Sequence, residues 1–421
     1  MSEAPRDQRT WDVLIAGAGP SGSRLAQQLS AAGATVLLVE ALEDFSKNAF
    51  SSAALPLSAV ERWQLPVSVI ASRWDQWQLF GPGESRRCWA ADAPLGVVLD
   101  FAALRRWLAD QAQASGTRLQ LGWRVCATET LSSGLAQTQL RSPGGCEAVI
   151  TSRFVVDATG EKRVLLGEPR HHPLVSGSGV EWVLQVPVEQ WQDWAGRLSF
   201  MLGSRWVPQG YGWVFPMEPG RLKVGVCRLH DSGRSQLPLY QLQVQLLDRL
   251  GLNGDTVVDR HGGLIRSTIR RREAHQRGAL LGLGDAVSTG NLLGGEGIRH
   301  ALTSADVLAP LLLGALAGRG RDLASYPKRL RQKLGWRWSL SGRLAQRTWL
   351  GLSGEPADRR LERLLEGLQT TASADALSQL LFDYRFERYG LRALPYLLGL
   401  RGSRSSMATK KPPFKRRASA D

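Results

Sequence analysis

The chain opens on a strand–turn–helix–strand unit closed by an acid, and this unit constrains the fold more than any other feature. Asp12 to Ala16 is a short apolar run, the pattern of a strand buried in a parallel sheet. It runs into Gly17-Ala18-Gly19-Pro20-Ser21-Gly22. Gly17 permits a tight turn, Gly19 lets the backbone approach a pyrophosphate, and Gly22 lets the next helix pack against the strand. Ser21 to Ala32 reads as that helix, with Pro20 at its entry, Gly33 at its end and Ala34 to Val39 as a second strand. Glu40 follows, roughly 20 residues beyond the glycines, where a carboxylate accepts from ribose hydroxyls. A 2′-phosphate would be repelled there.

Two later segments narrow the cofactor. Asp157-Ala158-Thr159-Gly160 ends an apolar strand, and Gly160 allows backbone approach to the adenosine side. Ala279 to Leu283 reads as a strand entering Gly284-Asp285-Ala286. Asp285 can accept from a ribityl hydroxyl. Gly294, Gly295 and Gly297 leave bare backbone before a helix from about Ile298 to Leu313. The positive end of that helix would face the flavin N1–C2=O region, where reduced flavin gathers negative charge. The three segments in this order indicate FAD.

The rest of the chain arranges around these segments. The expected fold is α/β, with a Rossmann-like FAD-binding domain interleaved with an antiparallel-sheet substrate domain and followed by a helical extension. Residues 10–57, 99–170 and 263–318 are assigned to the first domain. Residues 58–98 and 171–262 are assigned to the second. A basic helical extension over 319–400 and a disordered basic tail over 401–421 complete the chain. Phe101 to Ala114 reads as a helix, and Arg118 to Val156 as an antiparallel insertion with a return strand. Residues 58–98 carry Trp63, Trp74, Trp77, Phe80 and Trp89, rings suited to a cavity wall.

Tyr211-Gly212-Trp213-Val214-Phe215-Pro216, trailed by Gly220 and Val224-Gly225-Val226, carries a more specific signal. With the flavin segments it resembles the geranylgeranyl reductase family, a branch of the hydroxybenzoate-hydroxylase-type and glutathione-reductase-type flavoproteins. It matches that family's Y-x-W-x-F-P substrate motif. Ser52 to Leu57 is similar to the family's G-G-A-I-P-L stretch. The resemblance spans roughly residues 10 to 330. It implies reduction of isolated isoprenoid double bonds by FADH2, with NAD(P)H or another donor restoring the flavin. It also assigns Tyr211, Trp213, Phe215 and Pro216 to the substrate, alternate strand positions bringing the three rings to one face. Tyr211 is the candidate proton donor. The chain departs from the pattern in three places. Ser51 stands where chlorophyll-type members carry Cys. Asp100-Phe101 stands where an arginine is usual. Leu292 replaces a proline.

Composition limits the alternatives. Cys88, Cys126, Cys146 and Cys227 form no C-x-x-C pair, which argues against a zinc or dithiol site and for reduced thiols. No histidine set supports a metal centre or a hydrolase. His300 is expected on a helix surface. The start of the chain lacks a secretory pattern, and Val307 to Ala317 is too short to span a bilayer. The expected setting is therefore cytoplasmic. Of the net charge of +15, residues 319–350 carry +8 and residues 401–421 carry +6, so the basicity belongs to the C-terminal region. Tyr326 to Leu350 sets Leu330, Leu334 and Trp338 at helical spacing among basic residues. That helix reads either as one packed on the flavin domain or as a contact with an anionic membrane. The run from Lys410 to Arg417 is the sole hint of nucleic acid. A monooxygenase or halogenase, a lycopene-cyclase-type enzyme and a non-catalytic FAD-holding protein stay open beside the reductase.

Overall fold

A computed structural model describes residues 9–47, 50–218, 220–233, 235–269 and 273–385. Two sheets organise them. In the first, Trp11–Ala16 pairs in parallel with Val36–Glu40 on one side and with Glu147–Asp157 on the other. Arg118–Leu121 and Leu280–Gly282 extend the parallel set outward. Short apolar strands fit this place because both faces are covered. Val13, Leu14, Ile15 and Ala16 are fully buried, as are Leu37 and Leu38. The helices Pro20–Ala31, Phe101–Ala114 and Ile298–Leu316 lie alongside. An antiparallel hairpin of Arg124–Thr130 and Ala136–Arg141 joins the return strand, as the insertion predicts.

Register decides where a ligand can sit. Ala16 lies beside Val39 and Asp157, and Asp157 lies beside Gly282. The loops beginning at Gly17, Ala158 and Leu283 therefore leave one edge of one sheet. This is the carboxyl edge, where open α/β sheets bind their ligands.

The second sheet orders its strands as Thr256–Thr268, Leu174–Gln185, Arg221–Leu229, Gly210–Met217, Gly196–Leu202, Ile70–Phe80, Gly96–Leu99 and Ala54–Pro56, with Arg86–Ala90 beside Ile70–Phe80. The substrate-motif strand is central, and every residue of Gly210–Met217 is buried. Two boundaries differ from the sequence reading. Ala54–Pro56 falls in the second sheet through Gly96–Leu99, although residues 10–57 were assigned to the first domain. Thr256–Thr268 runs past position 262 as one edge strand.

The extension folds as helices Tyr326–Gly351, Glu355–Thr371 and Ala374–Phe382. The first is not one straight rod. Gly335 takes φ 86° and ψ 165° and kinks it. Leu330, Trp338, Leu344 and Ala345 are buried, so this helix packs on the flavin domain as the first of its two readings holds. Residues 386–400 of the extension and the basic tail 401–421 lie outside the described residues.

Candidate functional site

Gly22 shows why the first turn needs its glycines. A β-carbon there would collide with the carbonyl oxygen of Gly17. Beyond Gly19 the space is open. Gly19 caps the helix Pro20–Ala31, and no side chain accepts from its first-turn amides. Uncapped amides at a helix start are the usual seat of a phosphate. Glu40 closes the pocket floor. Its carboxylate accepts from the amide of Ala18 at 2.9 Å and from that of Leu42 at 3.0 Å, which leaves lone pairs on both oxygens for further donors.

An arginine that the sequence reading found missing stands close by. Arg105 lies one turn into Phe101–Ala114 and is buried. It sits over the rings of Phe45 and Phe101. Burial pulls its pKa down, while the negative Glu40 opposes that shift. Position 100 itself is a helix cap, since Asp100 accepts from the Ala103 amide at 3.0 Å.

Asp157 ends the return strand of the first sheet. Its carboxylate is fully buried and holds its own loop. One oxygen accepts from the amide and hydroxyl of Thr159, the other from the amides of Leu165 and Leu166. It shapes the segment carrying Gly160 with four protein donors of its own. Arg163 then ties this loop to the third segment, donating to the Ala286 carbonyl at 2.7 Å and to Ser288 Oγ at 2.6 Å. No motif marks Arg163, and the sequence reading passed over it.

The third segment forms the opposite end of the seat. Gly284 donates its amide to Ser304 Oγ. Asp285 is half-buried, accepts from Thr289 Oγ1 at 2.8 Å and has its pKa pushed up by desolvation. Gly297 caps the helix Ile298–Leu316 with no side-chain acceptor and no acid in its first turn. Among the described residues, both helix starts thus lack a side-chain cap, one at the turn and one at the late glycine loop. That fits a cofactor with a pyrophosphate at one end and an electron-rich ring edge at the other, as FAD has.

Beside the late loop lies a small, partly open cavity of about 40 Å³. Its walls include Ser51 and Ser52, Tyr211, Trp213 and Phe215, and the stretch Gly294 to Ile298. The structure therefore brings the three motif rings onto the glycine loop. Pro216 stays behind the wall, where its carbonyl accepts from Ser72 Oγ at 2.6 Å. Trp74 and Trp77 back the wall rather than line it. Trp77 stacks on Phe200 at 6.0 Å, and Trp74 meets Phe382 at 6.0 Å.

Tyr211 packs against Trp349 at 5.0 Å and against Phe200 at 5.7 Å. Burial, with the Cys227 thiol beside it, pushes the Tyr211 phenol well above its ordinary value, and burial pushes the Cys227 thiol up to about 12. Both groups keep their protons near neutral pH. Trp349 donates its indole N–H to the carbonyls of Leu292 and Leu293, so the kinked helix holds the loop ahead of Gly294.

Glu296 is the acid of the cavity, and the sequence reading gave it no role. Arg299 contacts it at 2.6 Å and also donates to the Phe382 carbonyl. Burial pushes Glu296 up, but the guanidinium opposes this. His300 is a correction. It was expected on the helix surface, yet it is buried with Trp338 at 5.7 Å. The kinked helix covers the face on which it lies.

Comparisons with known proteins agree with this geometry. Residues 10–55 match the family described as FAD binding domain. The digeranylgeranylglycerophospholipid reductase of Haloferax volcanii is 26% identical over 376 residues, covering 85% of this chain and 89% of that protein. The menaquinone reductase of Mycobacterium tuberculosis is 28% identical over 352 residues, covering 79% and 83%. Among solved structures, a geranylgeranyl bacteriochlorophyll reductase-like protein of Thermoplasma acidophilum superposes with a TM-score of 0.75 at 20% identity, covering 92% and 99%. The p-nitrophenol 4-monooxygenase of Pseudomonas putida shares the fold at a TM-score of 0.67 and 17% identity, covering 89% and 97%. Fold and site define an FAD-dependent oxidoreductase. More particularly, the chain is similar in sequence to proteins named as digeranylgeranylglycerophospholipid and menaquinone reductases, and in fold to a geranylgeranyl bacteriochlorophyll reductase-like protein.

Proposed function

We propose that this protein reduces carbon–carbon double bonds of an isoprenoid or lipid substrate, using FAD in its reduced form. The observation that carries the reading is the junction of Tyr211, Trp213 and Phe215 with the backbone of Gly294 to Gly297 around one cavity. Aromatic rings on a cavity wall suit a long apolar chain. The names of the sequence relatives, reductases of polyprenyl lipids and of menaquinone, support the same class.

Bound FAD would supply the hydride chemistry. The protein's own residues do the rest. Glu40, the Gly17–Gly22 turn and the start of Pro20–Ala31 hold the adenosine and pyrophosphate portion. Asp285 and the amides near Gly297 hold the ribityl and ring portion. The three motif rings orient the substrate and exclude water. Tyr211, kept protonated by burial, is the proposed proton donor at its phenol oxygen.

NAD(P)H is proposed as the electron donor. Contact with an anionic membrane through the basic helix Tyr326–Gly351 is proposed as the route to a lipid substrate. Trp336, 63% exposed on that helix, supports it. No helix among the described residues is long and apolar enough to cross a membrane.

Anaerobic reduction of the flavoprotein followed by geranylgeranyl lipids tests the reading. A product heavier by two hydrogens per reduced bond supports it. An unchanged mass with a new ring would indicate a cyclase, and an added oxygen under air a monooxygenase. Either overturns it.

A further inference from the structure

The cavity-facing side of the second sheet holds a buried acid and a buried base that the reading above does not use. Glu181 and Lys223 are 1% and 4% exposed. Glu181, Gly225 and Trp213 stand in one row across three strands. A β-carbon at Gly225 would strike the Trp213 ring. The glycine therefore opens a gap through which the indole crosses the middle strand. Its N–H reaches Glu181 Oε2 at 2.9 Å. This gives a physical reason for the glycine of Val224-Gly225-Val226.

The next row on the same face is Val183, Lys223 and Phe215. The Lys223 ammonium donates to the carbonyls of Ser51 at 2.8 Å, Leu99 at 3.0 Å and Ser52 at 3.5 Å. An ammonium has three N–H donors, and here three carbonyls from two chain segments take them. Four residues in this set, Ser51, Ser52, Trp213 and Phe215, line the cavity. Burial lowers the Lys223 pKa, while Glu181 and Asp100 oppose that shift. The two charges support each other across the sheet.

We propose that Glu181 and Lys223 are positioning residues that set the shape of the substrate cavity. Glu181 fixes the Trp213 wall, and Lys223 fixes the Ser51–Ser52 wall on the same sheet face. Together they set how deeply an apolar chain inserts. The insertion part rests on the isoprenoid reading, whereas the wall-holding part does not.

The test compares the flavin-loaded wild type with Glu181→Gln, Lys223→Met and the double variant. Each single change leaves one buried charge without its counter-charge and lowers thermal stability. The double change removes both charges at similar volume, so stability is expected to return toward wild type. Hydrogen exchange of the peptide spanning residues 50–56 is then read. Geranylgeraniol binding is read through the flavin absorbance. In the double variant we expect exchange about tenfold faster and binding about tenfold weaker, the scale of one lost charged hydrogen bond. A double variant with wild-type exchange and binding overturns the proposal. Lys223→Arg keeps the charge with a different head. If the double variant does not fold, faster exchange in Lys223→Arg supports the proposal and wild-type exchange overturns it. A wild type that ignores geranylgeraniol refutes the isoprenoid reading, while exchange at residues 50–56 still decides the wall-holding role.

Discussion

The phenol oxygen of Tyr211 stands 2.8 Å from where a β-carbon on Gly295 would lie. One atom of the strand Gly210–Met217 thus rests on the bare backbone of the late glycine loop. Gly295 also has φ +66°, a conformation costing an L-residue about 1 kcal/mol. Gly295→Ala is expected to lower FAD occupancy and melting temperature together. Adding Tyr211→Phe removes the colliding oxygen and is expected to restore part of both. Flavin-to-protein ratio and thermal unfolding measure the effect.

Glu40→Ala removes the acceptor of two backbone amides, at Ala18 and Leu42, and the acid meant for the ribose. A lost hydrogen bond to a charged group is worth about 1.5–3 kcal/mol, so FAD affinity should fall roughly 10- to 100-fold. Asp285→Ala is expected to weaken retention in the same direction. Titration of the apoprotein with FAD measures both, and unchanged affinity in both variants would refute their assignment.

Asp157→Asn should act through stability first. Four protein donors converge on this carboxylate. An amide NH2 turned toward any of them meets another donor. The expected loss is about 2–3 kcal/mol, measured by denaturant unfolding.

Much of this arrangement is legible in the sequence because it is local. The first unit needs only neighbours in sequence, and its strand, turn and helix fall within a residue or two of their expected ends. The helix Phe101–Ala114 has the expected bounds. Long-range pairings were not legible. Ala54–Pro56 is three residues long and becomes a strand only because Gly96–Leu99 lies beside it. Arg105 was missed because it stands a turn beyond the position searched. Arg163 acts across 123 residues through a main-chain carbonyl, which leaves no pattern to read. The cover over His300 comes from the distant kinked helix.

His275 gives the protein an acid-sensitive core. Burial, helped by the positive charges of Arg331 and Arg163, lowers its pKa from 6.5 to about 4. The folded state therefore holds the neutral ring, while the unfolded chain takes up a proton below about pH 6.5. The contribution is complete above that pH and is lost as pH falls toward 4, amounting to about 3 kcal/mol. His275→Leu should flatten this part of the stability–pH curve, as measured by unfolding between pH 7 and pH 4.

Trp349→Phe removes the indole donor to the Leu292 and Leu293 carbonyls but keeps a ring beside Tyr211. Release of FAD is expected to quicken by roughly fivefold, the scale of about 1 kcal/mol for an uncharged hydrogen bond. Stopped-flow flavin fluorescence measures the release rate.

The most direct measurement is the ratio of FAD to polypeptide in freshly purified protein. A yellow protein carrying close to one FAD per chain is expected. A colourless protein that stays colourless after incubation with FAD would contradict the seat formed by the Gly17–Gly22 turn, Glu40 and the Gly284–Gly297 loop.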